Sequence, residues 1–329
     1  MEPVYATCKS GPGTNDYRPM RIATFNVQNL RLSGSPAGAR LSGAQDRDDS
    51  GASMADDRVL DPIDRLLTAA VLKRADADVV ALQEVFDQET LDHFHDRYLV
   101  KEGAAPYPHR ICIPGNDGRG YDVALMSRIE PEDVTSHASL TPADLGLECL
   151  PGRDPAEPVF RRDCLSARFR DLTIFATHFK APYPDPESAW SARRLEALAV
   201  RRLIERRFEG KEDAFWLVLG DLNEPMEEPR GERAIAPLLG DFSNDLVQRI
   251  PAERRWSYHF EDSGIYSRPD AMLASPALAQ AWPDARPDYL REGLGQDAGR
   301  YSGKRLPGVG FHRPHASDHA ALVIEFEGL

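Results

Sequence analysis

Short apolar runs recur along this chain, and most of them end on a polar residue. Alternating or continuous apolar segments predict strands at Arg21 to Val27, Asp78 to Glu84, Tyr121 to Ser127, about 160 to 169, Leu172 to Thr177, Phe215 to Leu219, Pro269 to Ala274 and Ala320 to Phe326. The first of these is expected to end at Asn26. Helical spacing appears between them. Asp61-Pro62 reads as an N-cap followed by a proline at the first helical position, with Ile63, Leu66, Leu67, Ala70 and Val71 as the inward stripe. Asp87 is placed to cap a second helix that turns Leu91, Phe94 and Tyr98 inward. Asp185-Pro186 opens the longest helix, which runs to about Phe208 with Gly210 as its stop. Its outward face is expected to carry Arg193, Arg194, Arg201, Arg206 and Arg207. A solvated face is the simpler reading of these arginines, and a phosphate-facing patch the other. Several strands follow one another directly, so the pattern predicts mixed sheets covered by helices.

The segments between these elements are uneven. Residues 1–19 have no periodicity and read as a flexible tail. Residues 31–58, rich in Gly, Ser, Ala and Asp, read as a long mobile loop, either a lid or disorder. Residues 276–316 are rich in Pro, Gly and Arg and read mostly as loop. No linker and no internal repeat interrupts 20–329, which is therefore expected to form a single domain with these two insertions.

Composition narrows the class. The 329 residues are 41% hydrophobic, so the chain is globular. No apolar stretch is long enough to span a membrane. Met1 to Met20 lacks the apolar core of a signal peptide, which favours a cytoplasmic protein unless a leader has been removed. Cys8, Cys112, Cys149 and Cys164 are scattered without metal-site or disulfide spacing. The net charge of −13 disfavours tight nonspecific binding to duplex DNA, although metal-bound carboxylates would account for part of it. Nothing in the chain calls for an oligomer or an obligate protein partner, and a monomer is expected.

The candidate chemistry lies at the strand ends: Asn26, Glu84, His178, Asp221 with Asn223, and Asp318 with His319. Asp221 and Asn223 flank a single residue, so on an extended strand both side chains reach the same side. Taken singly, each residue has a plainer explanation. Asn26 is a turn former, Glu84 a surface carboxylate or helix start, His178 a hydrogen-bonded structural histidine, and Asp270 a strand-start residue. Their ordered occurrence at strand ends is what points to a site. Hard oxygen ligands beside a histidine suit metal-assisted attack on a phosphate ester.

Phe25-Asn26-Val27-Gln28-Asn29, Leu82-Gln83-Glu84-Val85, Asp122-Val123-Ala124-Leu125-Met126-Ser127, Thr177-His178-Phe179-Lys180, Gly220-Asp221-Leu222-Asn223 and Ser317-Asp318-His319 occur in this order over nearly the whole chain. In order and context they resemble the endonuclease/exonuclease/phosphatase superfamily. Its members include DNase I-like nucleases, apurinic-site endonucleases, inositol polyphosphate 5-phosphatases and neutral sphingomyelinases. The resemblance implies a four-layer α/β sandwich with two central mixed β-sheets flanked by helices. It implies Mg²⁺ or Mn²⁺ bound by Glu84 with Asn26 and Asp318. It also implies that Asp221 orients or deprotonates the attacking water with Asn223 beside it on the phosphate, that His319 contacts the scissile phosphate while Asp270 holds its ring, and that His178 donates to a phosphate oxygen.

Tyr121 falls one residue away from the tyrosine of apurinic-site endonucleases, so its role is not carried over. The segment Gly118-Arg119-Gly120-Tyr121-Asp122-Val123 resembles bacterial secreted-nuclease-like members instead. There Arg119 is a candidate phosphate contact, against a plain loop arginine, and Asp122 a candidate near the metal. Lys180 would add a positive charge at the rim. His312 and His315 are read as loop histidines in preference to metal ligands, with contact to substrate as a third option.

Residues outside the shared site decide the substrate. The insertion at 31–58 carries Asp46, Asp48, Asp49, Asp56 and Asp57. The 276–316 segment carries Arg291, Arg300, Lys304, Arg305 and Arg313, and is the better candidate to grip an anionic substrate. Tyr183, Trp190 and Trp282 form no continuous apolar patch of the kind that inserts into a membrane. A nuclease acting on nucleic acid is therefore the first expectation. A phosphodiesterase or phosphatase of small-molecule, lipid or inositol phosphates is the second. A catalytically silent binding protein on the same fold is the third.

Overall fold

The computed structural model describes residues 18–35, 38–45, 54–149, 154–260 and 264–329, with no side-chain description at 54–57. Most of the tail, and Asp46, Asp48 and Asp49 of the first insertion, lie outside what is described, as do the side chains of Asp56 and Asp57.

Two six-stranded mixed sheets pack face to face. In the first, the spatial order is Asp288–Leu290, Ala321–Phe326, Met20–Leu30, Val79–Val85, Asp122–Ser127, His109–Cys112. In the second it is Asn244–Asp245, Asp270–Ala274, Phe215–Asp221, Leu172–His178, Cys164–Phe169, Asp133–Thr135. Each sheet has a parallel pair at its centre with antiparallel strands on both sides: Met20–Leu30 with Val79–Val85 in one, Phe215–Asp221 with Leu172–His178 in the other.

Period-two alternation sorts the side chains into three apolar layers. Ile22, Val79, Ala81 and Leu125 meet Leu165, Ile174, Leu217, Leu219 and Met272 between the sheets. Ala23, Phe25, Val80 and Leu82 face outward onto Leu67, Val71, Leu72, Leu91 and Phe94, on the helical side of the first sheet. Phe175, Val218 and Leu273 pack on Leu195, Val200 and Ile204 of the helix Pro186–Arg207. The result is the helix–sheet–sheet–helix arrangement of a four-layer α/β sandwich.

Several elements differ from the sequence-based expectation. The first strand continues past Asn26 to Leu30. The first helix is Met54–Ala75, so Pro62 lies inside it and Asp61 is not its cap. Its inward face is also different: Ile63 and Leu66 are exposed, while Asp64, Arg65, Thr68 and Leu72 are buried. The reason is chemical. Arg65 donates to the carbonyls of Val27, Gln28, Ser42 and Gly43, so four backbone acceptors depend on a polar helix face. Arg193 on the longest helix is likewise fully buried, not solvated, where its Nη2 donates to both oxygens of Glu228. Arg201, Arg206 and Arg207 tie the same helix to Pro237 O, Asp144 O and Asp133, which fits a structural face and not a phosphate patch. The caps at Asp87 and Asp185 are as expected. The segment 276–316 is loop apart from the helix Pro276–Ala281 and the edge strand Asp288–Leu290.

Candidate active site

Sheet register brings one group together. Asp221 ends its strand with His178 opposite it on the parallel neighbour and Asp270 opposite it on the antiparallel one. Residues paired in register share a face, so these three side chains converge. Gly220 is required just before Asp221: its φ is +139°, and a Cβ there would lie 1.9 Å from Thr177 O. Asp221 Oδ2 is 3.5 Å from His178 Nε2 and 3.9 Å from His319 Nε2. His319 reaches the group from the other sheet, and its Nδ1 is 2.8 Å from Asp270 Oδ2. Asn223 turns back at φ +51°. Its N–H donates to Asp221 Oδ1 at 2.8 Å, and its Nδ2 donates to Phe179 O at 3.1 Å.

The first sheet supplies the opposite wall. Asn26 Nδ2 donates to Glu84 Oε1 at 3.3 Å and to Asp221 Oδ2 at 3.1 Å, so one amide links carboxylates from the two sheets. Asn29 N–H donates to Glu84 Oε2 at 2.8 Å. Ser317 Oγ donates to Asn26 O and, at 3.2 Å, to Asp318 Oδ1, which lays the Asp318 loop against the Asn26 strand. Gln28, Asn29, Glu84 and Asn223 all have positive φ. Such left-handed conformations cost of order 1–3 kcal/mol for non-glycine residues and collect at functional sites.

Burial and charge separate the two histidines. Burial pulls the His178 imidazole well below its usual range, reinforced by Arg162, so it is neutral. Burial also acts against the charged form of His319, but Asp270 and Asp318 outweigh it and raise the ring well above its usual range, so it is a cation. Burial pushes the Asp221 carboxyl up to about 6, with His319 opposing.

The remaining candidates lie around this group. Arg119 is half exposed, packs 4.4 Å over Tyr121 and donates to Asp117. Asp122 is buried, accepts from Gly115 N at 2.9 Å, and is pushed up to about 6 by burial. It pairs in register with Val85, beside Glu84. Lys180 Nζ donates to the carbonyls of Ala181 and Tyr183, and burial lowers it to about 8. His315 is buried in the loop core, and His312 is 3.1 Å from Asp297. The arginines of 276–316 are largely committed to the fold. Arg291 donates to Trp256 O, Arg305 to Leu294 O, Gly295 O and Ala298 O, and Arg313 to Asp61 and Asp64. Arg291, Arg305 and Arg313 are thus taken up by the fold, against the expectation that they grip substrate, whereas Arg300 and Lys304 of the same segment are exposed.

Sequence reasoning missed Tyr258, whose ring centroid is 4.8 Å from that of His319, and Phe260, 5.5 Å beyond it. It also missed Gln28, although Gln28 lies inside a quoted motif.

The donor set fits a hard divalent ion. Glu84 and Asp318 offer carboxylate oxygens near the Asn26 strand, and Asn26 borders them with its amide nitrogen turned to Glu84 and Asp221. Mg²⁺ binds through one or two carboxylates with waters and substrate oxygens completing the shell. Among the described residues no group of three or more His, Cys, Asp or Glu side chains is placed to hold a metal ion.

A search of curated proteins finds no match. Among solved structures, an AP endonuclease from Archaeoglobus fulgidus is 18% identical with a TM-score of 0.56, covering 94% of this chain and 100% of its own. A mannosyl-6-phosphatase from Bacteroides thetaiotaomicron is 16% identical with a TM-score of 0.55, covering 93% and 98%. D. rerio TDP2 complexed with a single-strand DNA product is 16% identical with a TM-score of 0.52, covering 93% and 98%. At these identities the likeness is one of fold. The sequence match is what assigns the chain: the model of the endonuclease/exonuclease/phosphatase family, whose members hydrolyse phosphate esters, spans residues 23–319, from the Asn26 strand to His319, and the protein belongs to that family of phosphoesterases.

Proposed function

We propose that this phosphoesterase is a divalent-metal-dependent phosphodiesterase, foremost a nuclease, acting by in-line attack of an activated water. The observation that carries the reading is the buried Asp221 carboxylate lying 3.5 and 3.9 Å from two imidazoles, one of which is held by Asp270 at 2.8 Å. Asp221 orients the water and takes its proton. A base placed in this way contributes typically ~10²–10⁴-fold. His319, kept cationic by Asp270, faces the negative charge that builds on the phosphorus oxygens. His178, with its proton on Nε2, donates to a phosphate oxygen, and Asn223 Nδ2 has a second hydrogen to offer beside the one given to Phe179 O. Glu84, Asn26 and Asp318 would hold Mg²⁺ or Mn²⁺, which when bound neutralises phosphate charge. Arg119 and Lys180 add positive charge at the rim, and Asp122 supports the strand beside Glu84.

Aromatic rings support a nucleic acid substrate. Tyr258, Phe260 and the exposed Tyr183 form a ring cluster next to His319, with centroid spacings of 5.5 and 6.1 Å, and aromatic faces of this kind can receive a base. A second reading, a small phosphate ester, is favoured by the net charge of −13 and by the arginines held within 276–316. Supercoiled plasmid, RNA and bis(p-nitrophenyl) phosphate, each incubated with Mg²⁺, Mn²⁺ or chelator, separate the two. Metal-dependent cleavage of plasmid or RNA supports a nuclease. Hydrolysis of the small diester alone selects the second reading. Binding of metal without turnover of any ester rejects both in favour of a silent binder.

A further inference from the structure

Gln28 is neither charged nor nucleophilic, yet it touches two of the three residues assigned to the metal, Asn26 and Asp318. Its backbone N–H donates to Asn26 Oδ1 at 3.0 Å. That bond fixes which way the Asn26 amide faces, because with Oδ1 engaged Nδ2 is turned toward Glu84 and Asp221. Its side-chain Oε1 accepts from Asp318 N–H at 3.2 Å and lies 3.0 Å from His315 Nε2. His315 Nε2 is also 2.8 Å from Ala44 O, another acceptor, so this nitrogen carries the proton. The Gln28 carbonyl in turn accepts from Arg65 at 2.7 Å. Gln28, His315 and Arg65 are all buried.

The backbone here is held off its preferred path. Gln28 and Asn29 have φ of +47° and +53°. They lie where the register slips between the Asn26–Gln83 and Leu30–Val85 pairs. A bulge with two successive left-handed residues, neither a glycine, persists only if its surroundings over-determine it. The hydrogen bonds from Arg65, His315 and Asp318 do so.

We propose, building on the phosphodiesterase reading above, that Gln28 is a positioning residue that locks Asn26 and Asp318 into one arrangement, with buried His315 and Arg65 holding Gln28 in place. Gln28 touches no substrate in this account. It sets the spacing between the Asn26 strand and the Ser317-Asp318-His319 loop, which come from opposite ends of the chain.

Gln28→Met keeps length and volume but removes the acceptor. Gln28→Glu restores an acceptor oxygen at the same reach. For each variant, thermal melting, Mn²⁺ binding without substrate by calorimetry, and kcat and KM on the diester that the wild type turns over are measured. The expected result for Gln28→Met is Mn²⁺ affinity and kcat lower by ~10–100-fold, with KM little changed. Gln28→Glu is expected to recover most of both. Should Gln28→Met not fold, Gln28→Asn, which retains the amide but falls short of Asp318 N–H, is expected to show the same loss. A folded Gln28→Met or Gln28→Asn with wild-type Mn²⁺ affinity and kcat overturns the assignment, as does a fall in melting temperature alone. A wild-type protein that neither binds Mn²⁺ nor hydrolyses any diester would instead overturn the parent reading, and the role of Gln28 with it.

Discussion

At the scale of single residues, the account depends on what burial does to charge. Asp270 holds His319 as a cation across a 2.8 Å contact. Asp270→Asn keeps the shape but removes that charge. Turnover is expected to fall ~10²-fold or more, and NMR titration of His319 is expected to show its pKa dropping. An unchanged His319 titration would reject the pairing. Away from the site, His137 offers a test of stability against pH. Burial first, then Arg207, lowers its pKa from the usual 6.5 to about 4 in the folded state. The unfolded chain therefore takes up a proton that the folded one refuses, so the contribution is intact above pH 6.5 and is lost as pH falls toward 4. After discounting for partial exposure, ~1–2 kcal/mol of acid sensitivity is assigned to this ring. Urea titrations of His137→Gln between pH 7 and 4 are expected to show a correspondingly flatter acid slope than wild type.

Elements show where the sequence could and could not be read. Strand ends were legible because a buried strand is an apolar run, and a polar residue closing it is conspicuous. Glu84, His178 and Asp221 are three such residues, and the structure places each at the end of its strand or one residue short of it. The helix Met54–Ala75 was misread because periodicity assumes an apolar inward face. Here the inward face carries Asp64, Arg65 and Thr68, which serve backbone groups of two loops and a strand. The arginines at 193, 291, 305 and 313 misled for the same reason: buried guanidinium groups bind carbonyls and carboxylates of the fold, and composition cannot distinguish them from cations that await a ligand. This corrected orientation is testable. Arg65→Met strands four carbonyls and is expected to cost ~3–5 kcal/mol in urea unfolding. Leu66→Gln, on the exposed side of the same helix, is expected to change stability by about 0.5 kcal/mol or less. The reverse order would restore the Ile63–Leu66 face as the inward one.

At the scale of the whole molecule, two sheets with matching strand order bring their polar strand ends to one edge of the sandwich. Asn26 and Glu84 come from one sheet and His178, Asp221 and Asp270 from the other, and the Asn26 amide joins them. That these residues converge was legible from motif order, because they lie at strand ends whose pairing the fold dictates. Gln28, Tyr258 and Phe260 were not, since their roles depend on a bulge, a bridge between Tyr258 and His319, and ring packing that sequence spacing does not encode. The net charge of −13 also shapes the expected kinetics. If nucleic acid is the substrate, a footprint of about one to three phosphates is expected, giving a shallow log–log dependence of KM on salt with a slope of about −1 to −3. A slope near −6 or steeper would require a basic surface not identified among the described residues.

The most direct test is turnover by Asp221→Asn. The amide preserves shape and hydrogen bonding to Asn223 N–H but cannot take a proton. On whichever phosphodiester the wild type cleaves, at saturating Mg²⁺ and with circular dichroism confirming the fold, kcat is expected to fall ~10²–10⁴-fold, with some loss of thermal stability because the new amide nitrogen meets the Asn26 Nδ2 donor. A folded Asp221→Asn protein that retains kcat within a few-fold of wild type would contradict the assignment of Asp221 as the base, and with it the mechanism built around the two imidazoles.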